Sequence, residues 1–511
     1  MNLNNILWII APAGMSFGLA LIFTHFMQRI APRMGLVDRP DGHRKLQGNV
    51  TALGGGVAIL LAFLLTIALI YLCRLPGADA LRGQPVFTMG LCGAGILICL
   101  VGLIDDRFDL RGRQKLVAQM ISVFFVVCAG LMIETVEVFG WQIQLGVFAI
   151  PFTMLWLLGA INALNLIDGV DGLAGTVSVI LSLTIAALAA MGRHHGDALI
   201  ALILAGASLG FLIFNYPPAR IYLGDAGSML IGLILGALAI RCSLKGPATV
   251  ALVAPTAIWS ILAFDIAMAV FRRKLTGRSI YSTDRAHIHH VLQRHGFSIS
   301  GVVLFIGTLC TVCAMGALVS VALKNEMAAI GTTASVLAIL VLTGFFGRSE
   351  CSLFARRIKG FLTSLVRIPN REAPRPVHFC SRFHGNREWE ILWESLLDYA
   401  HRFELSQVQL NVSSPAIGEE YHAVWQQKST PSPLRTWKTE VPLFVQELCV
   451  GRLTIVGSVG QGAVVSWMAE LIEGLRPFEF QMITLLEELL PPPSFPMAIE
   501  QIEQEVLQEA V

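Results

Sequence analysis

The chain has 511 residues, of which 55% are hydrophobic and only 14% are charged. An ordinary soluble domain is about 45–50% apolar and about 25% charged, so these proportions exclude a chain made of soluble domains alone. The net charge of +2 conceals an asymmetry, because the residues from Arg371 onward hold 10 Lys and Arg against 19 Asp and Glu. The sequence therefore predicts a basic membrane part followed by an acidic soluble part, and no nucleic-acid partner is expected.

Long apolar runs dominate the first two thirds of the chain. A membrane-spanning helix needs about 20 mostly apolar residues. Eleven runs meet this requirement, at residues 6–26, 52–73, 86–104, 116–134, 146–164, 173–191, 198–215, 226–241, 248–270, 301–323 and 327–347. The prediction is an all-α polytopic membrane protein with about eleven transmembrane helices.

The distribution of Lys and Arg between the connecting loops predicts the orientation in the membrane. The loops at 27–51, 105–115, 165–172, 216–225 and 271–300 together hold 16 Lys and Arg, whereas the alternate loops hold six. Because cytoplasmic loops carry the excess of positive charge, the first set is predicted to be cytoplasmic and the N-terminus to be outside. Nearly every cluster of Asp, Asn and His falls in the same set. This coincidence predicts one polar site at the inner face of the membrane.

The first acidic cluster ends the third apolar run, in VGLIDDRFDLRGRQKL at residues 101–116. Asp105 and Asp106 are adjacent carboxylates that repel each other unless a cation lies nearby, and Lys115 follows one loop later. A solvated helix end explains them without any function. A site for Mg²⁺, or for a group that loses a proton, explains them as well, because carboxylates at membrane depth are usually functional.

The second cluster is NALNLIDGVDGLAG at residues 162–175, in which four polar residues follow at intervals of three. In a straight helix Asn162 and Asn165 share a face, but Asp171 would point to the opposite side. The glycines after each Asp permit a turn, so the helix is predicted to end near Asp168 and the turn to aim Asn165, Asp168 and Asp171 into one cavity. A tight interhelical turn without a ligand is the alternative.

Two further loops contribute polar residues. In NYPPARIYLGDAGSMLIG at 215–232, Asp225 is either the cap of the next helix or a ligand of Mg²⁺. In FRRKLTGRSIYSTDRAHIHHVLQRHG at 271–296, a basic segment precedes a histidine cluster. No Cys completes a zinc site there, so the cluster is better explained as a set of donors to phosphate oxygens. The residues concerned are Arg285, His287, His289 and His290.

The segments DDRFDLRGRQK, NALNLIDGVDGL, YLGDAGS and RRKLTGRSIYSTDRAHIHH, in this order and spacing, resemble those of the polyprenyl-phosphate N-acetylhexosamine-1-phosphate transferases. The resemblance covers about residues 1–347. The HIHH form is similar to the branch of the family that uses UDP-GlcNAc. The first loop departs from the family pattern, because Leu46 stands where a His is usual and Thr51 where a Pro is usual. The role of that loop, which contains Lys45, is therefore in doubt.

The resemblance implies that undecaprenyl phosphate attacks the β-phosphate of a UDP-N-acetylhexosamine and that UMP is released. It also implies a requirement for Mg²⁺, with Mn²⁺ as a substitute, held by Asn165 and Asp225. The residues that it implies to be catalytic are Asp105, Asp106, Asp168, His287 and His289. The residues that it implies to bind substrate are Lys45, Lys115, Asn162, Asp171, Arg285 and His290.

The end of the chain is predicted to be a separate soluble domain. A transferase domain at 1–347 is followed by a basic linker at 348–377, a small cytoplasmic α+β domain at 378–490 and an acidic tail at 491–511. WEILWESLLDYAHRF has the spacing of an amphipathic helix, and LSQVQLNVS and VGRLTIVGSV are typical of strands. A homodimer, and a cytoplasmic partner for this domain, are left open.

The leading hypothesis is a sugar-1-phosphate transferase of the bacterial inner membrane with its site on the cytoplasmic side. The product would begin a cell-envelope polysaccharide pathway. The rival is a cation-coupled transporter, which predicts polar residues near the midpoints of spans and at both faces. A membrane sensor that signals through the soluble domain is a third hypothesis, but it leaves the five-loop cluster without a role.

Overall fold

The structure is a computed structural model whose described residues form two compact units, Met1–Arg348 and Ser349–Val511, here called the helical unit and the C-terminal unit. Lys45, Arg285, most of the linker and the whole acidic tail lie outside the described residues. The described residues are 3–38, 51–75, 77–138, 141–242, 244–246, 249–251, 253–275, 287–348, 351, 354–355, 358, 377–384, 389–414, 419–427, 436–445, 448–458 and 470–487.

Helices make up most of the helical unit, and each predicted span overlaps one of them. The helices are α1 (Leu3–Ile30), α2 (Gly55–Leu72), α3 (Ala78–Arg82), α4 (Pro85–Phe108), α5 (Gly112–Cys128), α6 (Ala149–Ile167), α7 (Leu173–Met191), α8 (His195–Asn215), α9 (Gly224–Cys242), α10 (Val253–Leu275), α11 (Ile288–Arg294), α12 (Ile299–Leu323) and α13 (Glu326–Leu342). The short helices α3 and α11 lie in the connections between predicted spans.

The helical unit is that of a multi-pass membrane protein. In the described part of the chain, eight helices are long and apolar enough to cross a membrane, namely α2, α4, α6, α7, α8, α9, α10 and α12. The other three predicted spans correspond to α1, α5 and α13, of which α5 and α13 have 17 residues each. The total of eleven spans and the outside position of the N-terminus stay predictions.

The fourth predicted span, 116–134, is wrong at its end. Helix α5 ends at Cys128, and Gly130 adopts a φ of +94°, which strongly favours glycine. The backbone N–H of Gly130 donates to Val127 and that of Leu131 to Val126, which closes the helix. The chain then forms a hairpin of β3 (Thr135–Val138) and β4 (Trp141–Gln144).

Short strands join loops that are distant in sequence, and the expectation of an all-α unit missed them. At one end of the unit, β1 (Val37–Asp38) pairs with β2 (Thr51–Leu53), which runs parallel to β5 (Ile221–Tyr222). At the other end, β6 (Leu244–Gly246) and β7 (Thr249–Ala251) extend the hairpin into a sheet of order β4-β3-β7-β6. These strands have two to four residues, too few to produce a recognisable alternation of apolar and polar residues.

Helix α9 lies at the centre of the unit, in contact with α2, α4, α6, α7 and α8. Its side chains from Ala226 to Ile240 are all buried. Glycines on the neighbouring helices allow very close approach, because a Cβ on Gly102 of α4 would lie 2.3 Å from the Cα of Ala226. A Cβ on Gly56 of α2 would lie 2.2 Å from the backbone nitrogen of Gly227. Small residues at such contacts are typical of helix packing in membranes.

A buried ion pair fixes the far end of α9. The guanidinium Nε of Arg241 lies 2.8 Å from a carboxylate oxygen of Asp197, at the start of α8. The side-chain amide of Gln84, just before α4, donates to the same oxygen over 3.1 Å and accepts from Arg241. The ring of Phe87 lies 4.0 Å from the guanidinium carbon. Three helices are therefore tied together at this end.

The C-terminal unit contains one antiparallel sheet and helices on its apolar face. Its strands are β8 (Val377–His384), β9 (Gln407–Ser414), β10 (Glu419–Gln426), β11 (Thr436–Val445) and β12 (Leu448–Ser458), in the order β11-β12-β9-β10-β8. Its helices are α14 (Trp389–Arg402) and α15 (Arg476–Glu487). Trp389 and Trp393 of α14 pack in one core with Val408 and Leu410 of β9. The predicted amphipathic helix and the two predicted strands are confirmed, whereas the domain bounds stay predictions.

The close contact of α4 with α9 generates a prediction about Gly102. We expect Gly102→Ala to lower the free energy of unfolding by about 1–3 kcal/mol, because the added methyl overlaps the α9 backbone. Gly18→Ala in α1 adds the same methyl where no atom lies within 4 Å. This control should leave stability unchanged or slightly raised. Denaturant unfolding of the purified variants measures both effects, and equal stabilities would contradict the packing argument.

Candidate active site

The ends of four helices meet at one place, which we call the site end of the helical unit. Asp105 and Asp106 occupy the last turn of α4, and Lys115 lies in the first turn of α5. Asn165 is in the last turn of α6, and Asp225 is in the first turn of α9. The helix α4 is longer than predicted, so the two aspartates lie within it and not in the loop that follows.

The carboxylate of Asp106 caps the start of α9. It accepts hydrogen bonds from the backbone N–H groups of Asp225, over 2.8 Å, and of Ala226, over 3.3 Å. Gly224 precedes them with a φ of +73°, which turns the chain into the helix. The unpaired N–H groups and the dipole at a helix start favour a negative charge there. This bond holds the end of α4 against the start of α9.

The ammonium group of Lys115 lies among three oxygen atoms from three other helices. Its Nζ is 2.7 Å from a carboxylate oxygen of Asp105 and 2.8 Å from one of Asp225. It also donates to the amide oxygen of Asn165 over 3.2 Å. The second oxygen of Asp105 accepts the backbone N–H of Leu110 over 2.8 Å. The lysine therefore supplies a positive charge that favours the ionised form of the two carboxylates that it contacts.

The two asparagines of α6 take different roles. The amide nitrogen of Asn165 donates to Asp225 and, over 2.9 Å, to the hydroxyl of Ser228. Asn162 lies one turn further from the site end, where its amide donates to the side chain of Gln119 over 3.0 Å. The structure thus brings Asn165 to the carboxylates but pairs Asn162 with Gln119. Neither Gln119 nor Ser228 was identified from the sequence, since each lies within an apolar run.

Asp168 ends α6, as the sequence predicted, and it is half-buried. Burial, together with the negative charges of Asp225, Asp106 and Asp171, raises the pKa of its carboxyl well above the usual range. No described residue donates a hydrogen bond to it. Asp171 instead accepts the backbone N–H of Ala219 over 3.0 Å and so ties the turn after α6 to the loop before β5. The two aspartates therefore differ in their contacts.

The described histidines of the last loop pack beside the turn after α6. His287 and His289 are buried, and their rings are stacked with centroids 6.0 Å apart. The Nε2 of His289 lies 2.9 Å from where a Cβ on Gly169 would be. Burial and the neighbouring His290 and His287 lower the pKa of His289 well below its usual value. This ring is neutral at physiological pH.

A buried carboxylate that was not identified from the sequence supports this loop. Asp265, in the middle of α10, accepts the backbone N–H of Ile288 over 3.0 Å, and its other carboxylate oxygen lies 3.1 Å from His287 Nδ1. A charged residue within an apolar run is the signal that could have drawn attention to it. Its partner His287 follows the loop 276–286, so the pairing of the two residues could not be predicted from their spacing in the sequence.

An apolar groove runs between α6 and α10 and has a volume of about 380 Å³. Its lining includes Phe152, Leu155, Trp156, Gly159, Ala160, Ala163, Trp259, Ala263, Ile266 and Ala267. Ala163 lies between Asn162 and Asn165 in the sequence, so the groove reaches the last turns of α6. The groove thus extends along α6 to within two residues of Asn165.

The glycosyl transferase family 4 profile matches residues 88–243. A probable undecaprenyl-phosphate N-acetylglucosaminyl 1-phosphate transferase of Bacillus subtilis is 32% identical over 301 residues, which are 58% of this chain and 81% of the relative. The chain belongs to this family. The sequence-based resemblance to polyprenyl-phosphate N-acetylhexosamine-1-phosphate transferases is thereby confirmed.

Two other family 4 relatives extend the comparison. A decaprenyl-phosphate N-acetylglucosaminephosphotransferase of Mycobacterium tuberculosis is 32% identical over 358 residues, with 64% of this chain and 85% of the relative covered. An undecaprenyl-phosphate α-N-acetylglucosaminyl 1-phosphate transferase of Salmonella typhimurium is 28% identical over 373 residues, with 69% and 93% covered. The segment matched by the family profile contains the helix ends that carry the carboxylates, Lys115 and Asn165.

The contacts of Lys115 generate a prediction about charge balance. We expect Lys115→Met to be destabilised at neutral pH, because Asp105 and Asp225 lose their counter-charge. Breaking a fully buried pair costs about 3–5 kcal/mol, and the loss here should be smaller because the lysine side chain keeps 18% of its surface exposed. Lys115→Arg keeps the charge and is the control. Without the lysine charge the carboxylates of the variant take up protons more readily, and acid relieves their repulsion. Thermal unfolding should therefore show a smaller difference at pH 5 than at pH 7.5; an equal difference would contradict the charge argument.

The raised pKa of Asp168 predicts how stability depends on pH. The folded state holds the proton over a wider pH range than the unfolded state, so this group stabilises the fold at low pH. That contribution is lost as the pH rises through the raised pKa. In metal-free buffer, Asp168→Asn should therefore unfold at a higher temperature than the wild type at pH 8, and the difference should shrink as the pH falls. A lower midpoint for the variant at pH 8 would contradict this sign.

Proposed function

We propose that this protein transfers N-acetylglucosamine 1-phosphate from UDP-N-acetylglucosamine to undecaprenyl phosphate and releases UMP. The observation that carries the proposal is the cluster of Asp105, Asp106, Asp225 and Lys115 at membrane-helix ends, next to an apolar groove. Two of the three relatives described above are named for undecaprenyl phosphate, and all three for N-acetylglucosamine. A lipid acceptor needs an apolar surface for its chain and a charged site for its phosphate.

The proposed reaction is a single displacement at phosphorus. An oxygen of the lipid phosphate forms a bond to the β-phosphorus of the nucleotide sugar, and the bond from that phosphorus to the bridging oxygen breaks. The electron pair stays on the bridging oxygen, which leaves as part of UMP. A phosphate monoester has a second pKa near 6, so the attacking oxygen needs no base at neutral pH. Phosphoryl transfer then depends mainly on positioning and on stabilising charge.

The carboxylates of α4 act in this proposal by holding other groups. Asp105 binds Lys115 through one oxygen and the backbone of Leu110 through the other. Asp106 is anchored to two backbone N–H groups of α9. Lys115 is the positively charged residue of the cluster, and it contacts residues of three other helices. Its ammonium group is therefore the one that would bind a phosphate oxygen. The ammonium would exchange part of its carboxylate contacts for phosphate contacts.

The kinds of oxygen atom at the site end support a proposed requirement for Mg²⁺, with Mn²⁺ as a substitute, although within the described residues no three His, Cys, Asp or Glu side chains are grouped as a metal site. Carboxylate and amide oxygens are the ligands that these hard cations prefer, and the cluster already surrounds one cation, the ammonium of Lys115. Asp225 and Asp168 would hold the metal, since Asp168 has no donor among the described residues. Asn165 turns its oxygen to Lys115 and its nitrogen to Asp225, so its role as a ligand requires that oxygen to be released. Bound Mg²⁺ would neutralise charge on the diphosphate.

In the proposed complex, the polyprenyl chain of the lipid acceptor lies in the apolar groove. The two faces that line it come from α6 and α10, with aromatic rings at Phe152, Trp156 and Trp259. A polyprenyl chain can be buried there without leaving the hydrocarbon layer. Because the groove reaches Ala163, the phosphate at the head of the chain would come to the helix ends that carry Asn165 and Asp168.

The excess of Lys and Arg in the loops of the site end favours a cytoplasmic position for the site. UDP-sugars are made in the cytoplasm, so the donor would reach the site from that side. The product would serve as the first lipid-linked intermediate of a cell-envelope polysaccharide. The family membership does not favour the alternative of a cation-coupled transporter.

The test of this proposal follows UMP release from purified protein supplied with undecaprenyl phosphate, Mg²⁺ and a panel of UDP-sugars. We expect UMP with UDP-N-acetylglucosamine, no UMP after chelation of the metal, and recovery when Mg²⁺ or Mn²⁺ is restored. Asp225→Asn and Asn165→Ala should each lower kcat at least about 100-fold, because each removes a group that orients charge at the reacting phosphates.

The control variant is Asp79→Asn, which changes an exposed carboxylate in α3 at the end away from the site. It should leave turnover unchanged. Circular dichroism and size-exclusion profiles establish that each variant is folded. The absence of UMP with every sugar in folded wild-type protein would sink the proposal, and near-normal turnover of Asp225→Asn would refute the assigned site.

A further inference from the structure

Asp265 carries a charged side chain within an apolar helix. It is in the membrane-spanning helix α10 and only 3% of its surface is exposed. Burying an acidic side chain in a membrane helix costs free energy, and the acidic residues found there are usually functional. Both of its oxygens are used, and both contacts go to the segment that begins α11.

The two contacts fix the start of α11 against α10. One oxygen accepts the backbone N–H of Ile288, which is the first residue of α11, over 3.0 Å. The other lies 3.1 Å from Nδ1 of His287, which precedes the helix. The loop 276–286 connects the two helices in sequence, but this carboxylate connects them directly. The position of His287 is thus set by α10.

The same contact decides which nitrogen of His287 is available. A carboxylate oxygen accepts hydrogen bonds, so we assign the hydrogen between the two groups to Nδ1 of His287, which donates it to Asp265. Nε2 has no hydrogen-bond partner among the described residues and is the nitrogen left for a ligand. A carboxylate on one ring nitrogen fixes both the tautomer and the ring orientation, as it does for metal-binding and catalytic histidines.

The ring of His287 is held beside the carboxylate cluster through a second histidine. His287 stacks on His289 with an angle of 8° between the rings. The Nε2 of His289 in turn lies against Gly169, the residue after Asp168. The chain of contacts therefore leads from α10 through two imidazoles to the turn that carries Asp168.

We propose that Asp265 is a positioning residue of the transferase site, which holds His287 by Nδ1 so that Nε2 faces the bound nucleotide sugar as a hydrogen-bond acceptor. The proposal rests on the proposed function. With hydrogen on Nδ1, the lone pair of Nε2 can accept a hydrogen bond from a hydroxyl or N–H group of the sugar. Asp265 itself touches neither substrate nor metal.

The decisive variant is Asp265→Asn. Its amide oxygen can still accept from Ile288, but its NH₂ group then faces Nδ1 of His287 and turns that nitrogen into an acceptor. The hydrogen moves to Nε2 of a neutral ring, as in the Asp-to-Asn variant of a catalytic triad, which holds the wrong tautomer. Loss of such an outer partner typically costs about 10- to 100-fold. We expect a fall of that size in kcat for UMP release, with the KM for undecaprenyl phosphate changed less than about threefold.

A double-mutant cycle separates positioning from general support of the fold. His287→Gln removes the ring, so Asp265→Asn should cost nothing further in that background. Asp197→Asn is the matched control, since Asp197 is equally buried but lies at the other end of the unit, paired with Arg241. The folded fraction of Asp197→Asn should release UMP at the wild-type rate. Full activity of Asp265→Asn, or equal losses with and without His287, would overturn the proposal.

A second measurement does not depend on turnover. Nitrogen-15 NMR of histidine-labelled protein, with the His287 signals assigned through His287→Gln, reports which ring nitrogen carries hydrogen. We expect a protonated Nδ1 in the wild type and an unprotonated Nδ1 in Asp265→Asn. Wild-type protein that releases UMP from no sugar would refute the proposed function. A wild-type His287 protonated at Nε2 alone would refute the pairing itself.

Discussion

The helical unit depends on one interaction above the others, the placement of the Lys115 ammonium among oxygen atoms of three other helices. Asp105, Asp106, Asp168 and Asp225 lie within one site, and carboxylates in such surroundings cannot all ionise without a compensating cation. The lysine provides this charge from α5 and so connects α4, α6 and α9 at their ends. The stability of the helix ends and the proposed binding of phosphate thus depend on the same contact.

That contact requires the helices to approach closely. Gly102 and Gly56 let α4 and α2 meet the start of α9 backbone to backbone, and only then can the Asp106 carboxylate reach the N–H groups of that helix. At the far end, Arg241 and Asp197 hold α9 again. Burial of apolar side chains brings the helices together, whereas these polar contacts decide their depth and rotation.

The sequence allowed the helices and the main acidic residues to be predicted because both leave local signals. Each of the eleven apolar runs overlaps a helix, whereas the short helices α3 and α11 lie outside the runs. Aspartates at the ends of runs indicated where the polar cluster forms. The partners of single polar residues within runs could not be predicted, because they depend on packing between distant segments. Gln119 with Asn162, and Asp265 with His287, are such pairs. The early end of α5 has a local cause in Gly130, but one glycine in an apolar run does not indicate a helix end by itself.

The cap on α9 differs in kind from the other contacts of the site. Asp106 binds backbone N–H groups, which every residue except proline supplies, so this contact does not use the side chains of the capped residues. The side chain of Asp225 is thereby left for its contacts with Lys115 and Asn165. One residue therefore serves two purposes, because its backbone fixes the register of α9 while its carboxylate belongs to the polar cluster.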